Sequence, residues 1–483
     1  MGQRSNGRRI AEVALGSLPL GLALAAVGCS NGLEPSASDV RPSFILITLD
    51  DLDVRTFEAM PRARVLLGDA GLTFNNMIAT RPLSCPSRAS VLTGLYAHNH
   101  GVLSNLPPLG GFELFRDLGH ERSNIATWLY AAGYHTVLIG KYLNAYPGDA
   151  SPTHVPPGWS DWFAPLLDMP GTDEAAYFVN ENGRIVPFGS SEADYMTDVL
   201  ARRTTDTIRR QAASGQPFFV CLNPGAPHVP AVPALRHANA YPDAIAPRTP
   251  SFDEADISDK PEWLQVAPRL TDKDLARIDR LHRARLRSLL SIDDMLDEII
   301  RALAETGLDR STYLIFTSDN GYFEGQHRLR EGKNAAYEES IRVPFVVRGP
   351  GVRRGQGCDL LVGNIDIAPT LADLAGVPIP ESVDGRSLRP LLGLHAWPAS
   401  LWRQEILVEA IAGGAPFPLP AYEGLRTARY TYVEYDTDER ELYDLARDPD
   451  QLENQASRVQ PQLIRQLSDR LSALRWCEGV GCR

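Results

Sequence analysis

No stretch of this 483-residue sequence is apolar for long enough to cross a bilayer, which takes about 20 consecutive apolar residues. The apolar run at residues 13–27 falls short of that. Basic residues are outnumbered, 48 Lys and Arg against 60 Asp and Glu, for a formal net charge of −12. That balance excludes a surface-wide grip on nucleic acid or another polyanion, while leaving room for a local basic pocket. Cysteine is sparse, with six in the chain. Cys85, Cys221 and Cys358 show no metal-type spacing, and Cys221 lies inside an apolar run that reads as a buried strand. Core material is plentiful. A hydrophobic content of 43% and the length suit one large domain with a smaller one beside it.

The first residues read as an export signal. Arg4, Arg8 and Arg9 form a basic start, the apolar run follows, and Ala26-Val27-Gly28-Cys29 resembles a bacterial lipobox. Residues 1–28 are expected to be a lipoprotein signal peptide, with Cys29 lipidated as the first residue of the mature chain. Residues 29–41 form a polar tether. The expected location is the extracytoplasmic side of a bacterial cell envelope, with the lipid anchor as the attachment to the membrane. In an exported chain the short spacing of Cys477 and Cys482 predicts a disulfide.

Four apolar runs end at residues that can do chemistry. Residues 44–49 end at Asp50 and Asp51, and residues 135–139 end, after Gly140, at Lys141. Residues 217–222 lead to Asn223 and His228, and residues 313–317 lead to Asp319 and Asn320. Runs this apolar suit a parallel sheet covered by helices on both faces. In such sheets ligands bind beyond the carboxyl ends of the strands. Helical patterns at 121–132, 191–213 and 272–305 fill the intervals. Residues 177–186 read as a hairpin turning at Asn182-Gly183, inside an insertion at 145–189 placed to border the pocket. Short strands at 405–408, 429–433 and 441–443 and a helix at 460–474 predict a small α+β domain at 394–483, after a large α/β domain at 42–393.

Asp50, Asp51, Asp319 and Asn320 offer oxygen ligands only, with no His or Cys at ligand spacing, a set that prefers Ca2+ or Mg2+ over zinc. Asp293 and Asp294 are a second acidic pair, but neighbours in mid-helix point about 100° apart and make a poor common ligand set. Arg88, Lys141, Lys333 and His228 supply positive charge and a proton donor for a tetrahedral oxyanion. Residues 82–94 read as a loop turning into a helix. Pro86 is expected in a first helical position, Ser84 or Cys85 at or just before the cap, and Gly94 at the end. Ser84, Cys85, Ser87 and Arg88 then face the positive end of that helix, where an anion is favoured.

The same stretch resembles the signature of the sulfatase family, C/S-x-P-S-R followed by x-x-x-L-T-G. The register of Pro86, Ser87, Arg88 and Leu92-Thr93-Gly94 puts Ser84, not Cys85, at the position that this family oxidises to formylglycine. Segments around Asp50-Asp51, Ala226-Pro227-His228 and Asp319-Asn320-Gly321, and at 337–344, 366–371 and 441–449, are similar to sulfatase segments too. The resemblance implies an alkaline-phosphatase-like α/β fold with a large, mostly parallel sheet. It implies Ca2+, or Mg2+, held by Asp50, Asp51, Asp319, Asn320 and modified Ser84, and sulfate held by Arg88, Lys141, His228 and Lys333. Lys141-Tyr142-Leu143-Asn144 departs from the Lys-x-His of arylsulfatases. With residues 155–159 it looks like the N-acetylglucosamine-6-sulfatase and extracellular endosulfatase branch, which implies a sulfated sugar as substrate.

The activity so implied is that of a sulfuric ester hydrolase. Hydrated formylglycine has two hydroxyls on one carbon. One attacks sulfur and expels the alcohol; deprotonation of the other releases sulfate and restores the aldehyde. His228 is the expected donor to the leaving alcohol, and Asp51 the expected aid to the second deprotonation. Cys85 directly precedes Pro86 and fails the C-x-P-x-R pattern read by the oxygen-dependent maturation enzyme. The implied partner is therefore a serine-oxidising enzyme acting before export. Two other readings stand beside this one. A phosphatase or phosphodiesterase of the same fold would use unmodified Ser84 and would need further His and Asp ligands for a second metal. A non-catalytic lipoprotein would bind sulfated glycans without cleaving them.

Overall fold

In the computed structural model, which describes residues 41–166, 174–393, 397–413 and 417–483, the four apolar runs are neighbouring strands at the centre of a ten-stranded sheet. The expected signal peptide, Cys29 and the tether as far as Val40 lie outside the described residues. In chain order the strands are β1 (Ser43–Leu49), β2 (Leu72–Ile78), β3 (His135–Gly140), β4 (Asp161–Pro165), β5 (Phe178–Glu181), β6 (Arg184–Pro187), β7 (Phe218–Asn223), β8 (Thr312–Ser318), β9 (Phe345–Arg348) and β10 (Gln356–Gly363). They pair in the order β10-β2-β9-β8-β1-β7-β3-β4-β5-β6. The block β8-β1-β7-β3-β4 is parallel. β9 runs against both of its neighbours, and β5 and β6 close the far edge antiparallel.

Alternation explains why these strands are apolar throughout. Phe44 and Leu46 of β1 enter a core with Leu138, Phe219 and Ile315, while Ile45, Ile47 and Leu49 enter a second core on the other face. The helices Ser84–Thr93, Ile125–Ala131 and Ile367–Leu374 cover the first face. Met196–Ser214 and Asp272–Thr306 cover the second. Each fully buried aliphatic or aromatic side chain stabilises the sandwich by roughly 1.5–3 kcal/mol, so the sheet is clamped from both sides and its carboxyl rim is held firmly.

Local chemistry sets the departures from the sequence expectations. The helix expected at 121–132 begins at Ile125, because the Asn124 side chain accepts from the Ala126 N–H at 3.0 Å and caps it. The helix expected at 191–213 begins at Met196, after a tight turn at Glu192–Asp194. Asn182 and Gly183 turn the hairpin with φ of 50° and 83°, the left-handed pair of a type I′ turn. That hairpin extends the main sheet beyond β4. β2 was not foreseen, since Asn75 and Asn76 break its apolar pattern. In the fold both amides are occupied by Asp359 of β10, at 2.6 Å and 2.7 Å.

Residues 41–483 form one compact unit. Within it a separate C-terminal sheet, β11 (Glu405–Ala410), β12 (Tyr422–Thr427), β13 (Tyr430–Tyr435) and β14 (Arg440–Asp444), runs antiparallel in sequence order. Leu467 and Leu471 of the helix Pro461–Leu474 pack into its core, which also holds the Cys477–Cys482 disulfide. The expected boundary at residue 394 falls at 394–396, outside the described residues. Among the described residues no helix is long and apolar enough to cross a membrane.

Candidate active site

The strand register assembles the site. Leu49 of β1 lies opposite Ser318 of β8, so Asp50 and Asp51 emerge beside Asp319 and Asn320. Asp51 takes the left-handed conformation, φ 68°. Its N–H donates to Asp319 Oδ1 at 3.2 Å, and the next N–H, of Leu52, donates to Ser318 Oγ at 2.8 Å. Two strands away Gly140 of β3 lies opposite Asn223 of β7. A Cβ at Gly140 would stand 2.2 Å from the Asn223 carbonyl oxygen, and its φ of 102° suits glycine. Lys141 follows, bracketed by Asn223: the Lys141 N–H donates to the Asn223 carbonyl and the Asn223 side-chain amide donates to the Lys141 carbonyl, both at 2.8 Å. That bracket was not read from the sequence; its one signal was an amide at the end of an apolar run.

Ser84 is the first residue of its helix, with Leu83 at the cap. The helix thus starts two residues before the expected Pro86 start. Pro86 still falls in the first turn, where backbone N–H groups have no intrahelical partner to lose. Gly94, φ 74°, ends the helix as expected. Cys85 points away from the chemistry. It is fully buried in the core, its N–H donates to Asn105 Oδ1 at 2.9 Å, and burial pushes its thiol up to about 11.

The fold brings every expected polar group to one place. Ser84 Oγ lies 3.4 Å from Asp50 Oδ1 and receives a hydrogen bond from Lys333 Nζ at 3.0 Å. Lys333 also pairs with Asp51, and Lys141 pairs with Asp50. Arg88 Nε donates to Asp319 Oδ2 at 2.9 Å, and its guanidinium reaches Asp50 at 3.5 Å. The Asn320 amide donates to Asp51 Oδ1 at 2.6 Å. His228 Nε2 lies 3.8 Å from Asp51 Oδ2. Its Nδ1 is 2.7 Å from the Val229 carbonyl; a carbonyl only accepts, so Nδ1 carries a proton and Nε2 is the nitrogen turned to the site. This corrects one expectation. A histidine does join the carboxylates: ligand atoms of Asp50, Asp51 and His228 lie within 4.8 Å of one another. The distance in sequence between β1 and the loop after β7 hid it.

Asp293 and Asp294 stay out of the cluster. Asp293 accepts from the Arg62 and Ala63 N–H groups at 3.3 Å and 2.8 Å. Asp294 pairs with Arg62, Arg236 and His237.

Charge is balanced within the site. Burial opposes ionisation of Asp50, but Lys141, His228, Arg88 and Lys333 outweigh it and hold the carboxyl well below its ordinary range. Burial likewise opposes Asp51, and Lys333 with His228 brings it down. Asp319 goes the other way, raised by burial and by the Asp50 charge against the pull of Arg88. The donor set fits a hard divalent cation: three carboxylates, and Asn320 Oδ1, which is buried with no hydrogen-bond partner. Beside it a cavity of about 150 Å³ is bordered by Lys141, Asn144, Pro165, Met196, Leu200 and His228.

Comparison with known proteins decides the family. The sulfatase family profile matches residues 42–377. The chain belongs to the sulfatase family. A second profile, the C-terminal part of N-sulphoglucosamine sulphohydrolase, matches residues 325–476. A Caenorhabditis elegans Sulf-1 homologue is 38% identical over 382 residues, 77% of this chain, and this sulfatase spans 53% of that relative's length. The human N-acetylglucosamine-6-sulfatase is 33% identical over 504 residues, covering 96% of this chain and 90% of its own. A solved protein in complex with its substrate D-glucosamine-2-N,6-O-disulfate superposes with a TM-score of 0.75 at 23% identity, covering 89% of this chain and 97% of its own, and so shares the fold. Membership makes this sulfatase a sulfuric ester hydrolase, and the family's use of a metal ion and formylglycine agrees with the donor set and with Ser84 at the helix start.

Proposed function

We propose that this sulfatase removes sulfate from a sulfated amino sugar of the N-acetylglucosamine 6-sulfate type, using formylglycine made from Ser84 and a bound Ca2+, with Mg2+ as the substitute. The observation that carries the reading is Ser84 itself. Its oxygen opens a buried helix, 3.0 Å from Lys333 Nζ and 3.4 Å from Asp50, where the oxygen donors meet the cationic groups. The substrate class rests on the human relative, an N-acetylglucosamine-6-sulfatase, and on the neutral cavity wall of Asn144, Pro165, Met196 and Leu200, which suits a sugar ring better than a string of charges.

In this reading Asp50, Asp51, Asp319, Asn320 and the residue at 84 would hold the cation, which would supply positive charge that stabilises anionic oxygens and lowers the pKa of a hydroxyl. Formylglycine supplies a nucleophile that is regenerated without hydrolysis of a stable serine sulfate. Lys333 holds the oxygen at position 84 in place. Arg88 and Lys141 balance the charge of the sulfate, and pre-aimed cations in a water-poor site stabilise the charge that builds on its oxygens. His228 Nε2 gives a proton to the leaving alcohol, and Asp51, 3.8 Å away, supports the imidazolium that precedes the transfer. Pro165, Met196 and Leu200 keep water from the sulfur. Further proposals concern the chain's surroundings: export as a lipoprotein anchored through Cys29, and maturation by a serine-oxidising enzyme.

The test is made on protein from its native host. The tryptic peptide containing Ser84 should weigh two hydrogens less than the encoded serine, and the protein should release sulfate from N-acetylglucosamine 6-sulfate. An unmodified peptide in a protein that still turns over sulfate esters overturns the mechanism. Preferential release of phosphate from phosphate monoesters replaces the reading with a phosphatase.

A further inference from the structure

Beneath the carboxylates lies a buried ion-pair network whose outer members, Asp53, Tyr322 and Glu324, border a small cavity of about 30 Å³. Arg285 sits in the middle of the long helix Asp272–Thr306 and is fully buried. Its NH2 group donates to the Asp51 backbone carbonyl at 2.6 Å and to Asp53 Oδ2 at 3.0 Å. Its NH1 group is 2.7 Å from Glu324 Oε1. Its guanidinium carbon lies 4.6 Å from the centre of the Tyr322 ring. Glu324 in turn meets His282 Nδ1, one turn earlier on the same helix, at 2.8 Å. One side chain therefore ties the loop after β1 to the loop after β8. These two loops supply the four oxygen donors.

The tie falls at a strained point. Asp51 is in the left-handed region, which costs a non-glycine residue free energy and must be held by its surroundings. Its carbonyl is fixed by Arg285 and its N–H by Asp319. A lysine at 285 would keep the charge, but one ammonium cannot span Asp51, Asp53 and Glu324 with the planar fork of a guanidinium.

We infer that Arg285 is a positioning residue: it locks Asp51 and the two ligand loops in register and thereby sets the affinity for the divalent cation. The inference rests on the metal reading above. It reaches the chemistry only through Asp51, so its primary readout is metal binding.

Protein stripped with EDTA is titrated with Ca2+ by calorimetry, and the melting temperature is recorded with and without Ca2+. Arg285→Lys should weaken Ca2+ binding at least about tenfold, the usual lower bound for loss of a partner that orients a metal ligand. Ile299→Ala, a fully buried position on the same helix, is the control; it should lower the melting temperature yet hold Ca2+ affinity within about twofold of the parent. Should Arg285→Lys fail to fold, Arg285→Gln with Glu324→Gln removes both charges together and should show the same loss. Raising Ca2+ should restore kcat in these variants with KM for the sulfate ester unchanged. Ca2+ affinity in the Arg285 variants within twofold of the parent overturns the inference. Parent protein that binds neither Ca2+ nor Mg2+ overturns the metal reading, and the inference with it, and is a separate result.

Discussion

Lys333 Nζ donates to Ser84 Oγ at 3.0 Å while it pairs with Asp51. One ammonium thus joins the residue that opens the site helix to a carboxylate of the donor set. Burial works against its charge, but Asp51, Asp50 and Asp319 outweigh burial and keep it protonated. Lys333→Met should therefore lower kcat by about 100- to 1,000-fold, the range seen when one pre-aimed donor is lost. Lys333→Arg should fall between. Steady-state kinetics on matured protein checks this, and a Lys333→Met enzyme with near-parent kcat removes the lysine from the mechanism.

Ser84 and Cys85 should behave oppositely. Ser84→Ala should abolish turnover. Cys85→Ala should retain it and lose about 1 kcal/mol of stability for its fully buried thiol. Ser84→Cys should be active in a host that carries the oxygen-dependent maturation enzyme, because the change creates C-x-P-x-R. Peptide mass and activity, measured side by side in both hosts, test the three variants together.

Chelation should remove activity, and Ca2+ or Mg2+ should restore it. Asp50→Ala and Asp319→Ala should cripple turnover at every metal concentration. Restoration by zinc alone would contradict the assignment and give weight to His228 as a metal ligand.

Asp293 offers a stability test outside the site. Burial pushes its carboxyl up to about 6. An acid whose folded pKa exceeds its unfolded value makes the folded state the better proton binder. Stability is then greatest below the unfolded pKa and falls as pH rises from about 4 to about 6. The loss should be roughly 1–3 kcal/mol, and Asp293→Asn should remove that slope in urea unfolding while leaving kcat intact. A variant with the parent's slope would show that Asp293 titrates normally.

His100 should impose the opposite slope. It is fully buried; its Nδ1 accepts from the Val102 N–H at 3.0 Å and its Nε2 meets Ser90 of the site helix at 3.1 Å. Burial, then His120, pushes it down to about 3. Its contribution is whole above the unfolded pKa near 6.5 and is lost as pH falls from there toward 3, by roughly 5 kcal/mol in all. Acid unfolding of His100→Gln should begin at lower pH than that of the parent. Unchanged acid unfolding would rule out His100 as the trigger.

The strand ends were legible because each is a local pattern. An apolar run that stops at Asp50, Lys141, Asn223 or Asp319 needs only neighbours in sequence to be seen. The Ser84 register was legible for the same reason, since Pro86, Arg88 and Gly94 stand at fixed offsets on one helix. Other elements were not. β2 carries two asparagines whose side-chain N–H groups donate to Asp359, hundreds of residues away. β12, Tyr-Glu-Gly-Leu-Arg-Thr, carries no clear alternation of its own and is a strand through its pairing with β11 and β13.

The amino-acid sequence by itself determined the apolar core strands, the register that singles out Ser84, the helix end at Gly94, the oxygen donors and hence the class of cation they favour. Only the tertiary structure decided that His228 lies 3.8 Å from Asp51, and that Arg285 grips the Asp51 carbonyl. Arg285 did leave a trace, since with His282 it interrupts the apolar stripe of Ile278, Leu289 and Ile292. A stripe records that a side chain is buried. It does not record the partner, because a buried charge is paid for by groups that the strand order, not the chain order, carries to it.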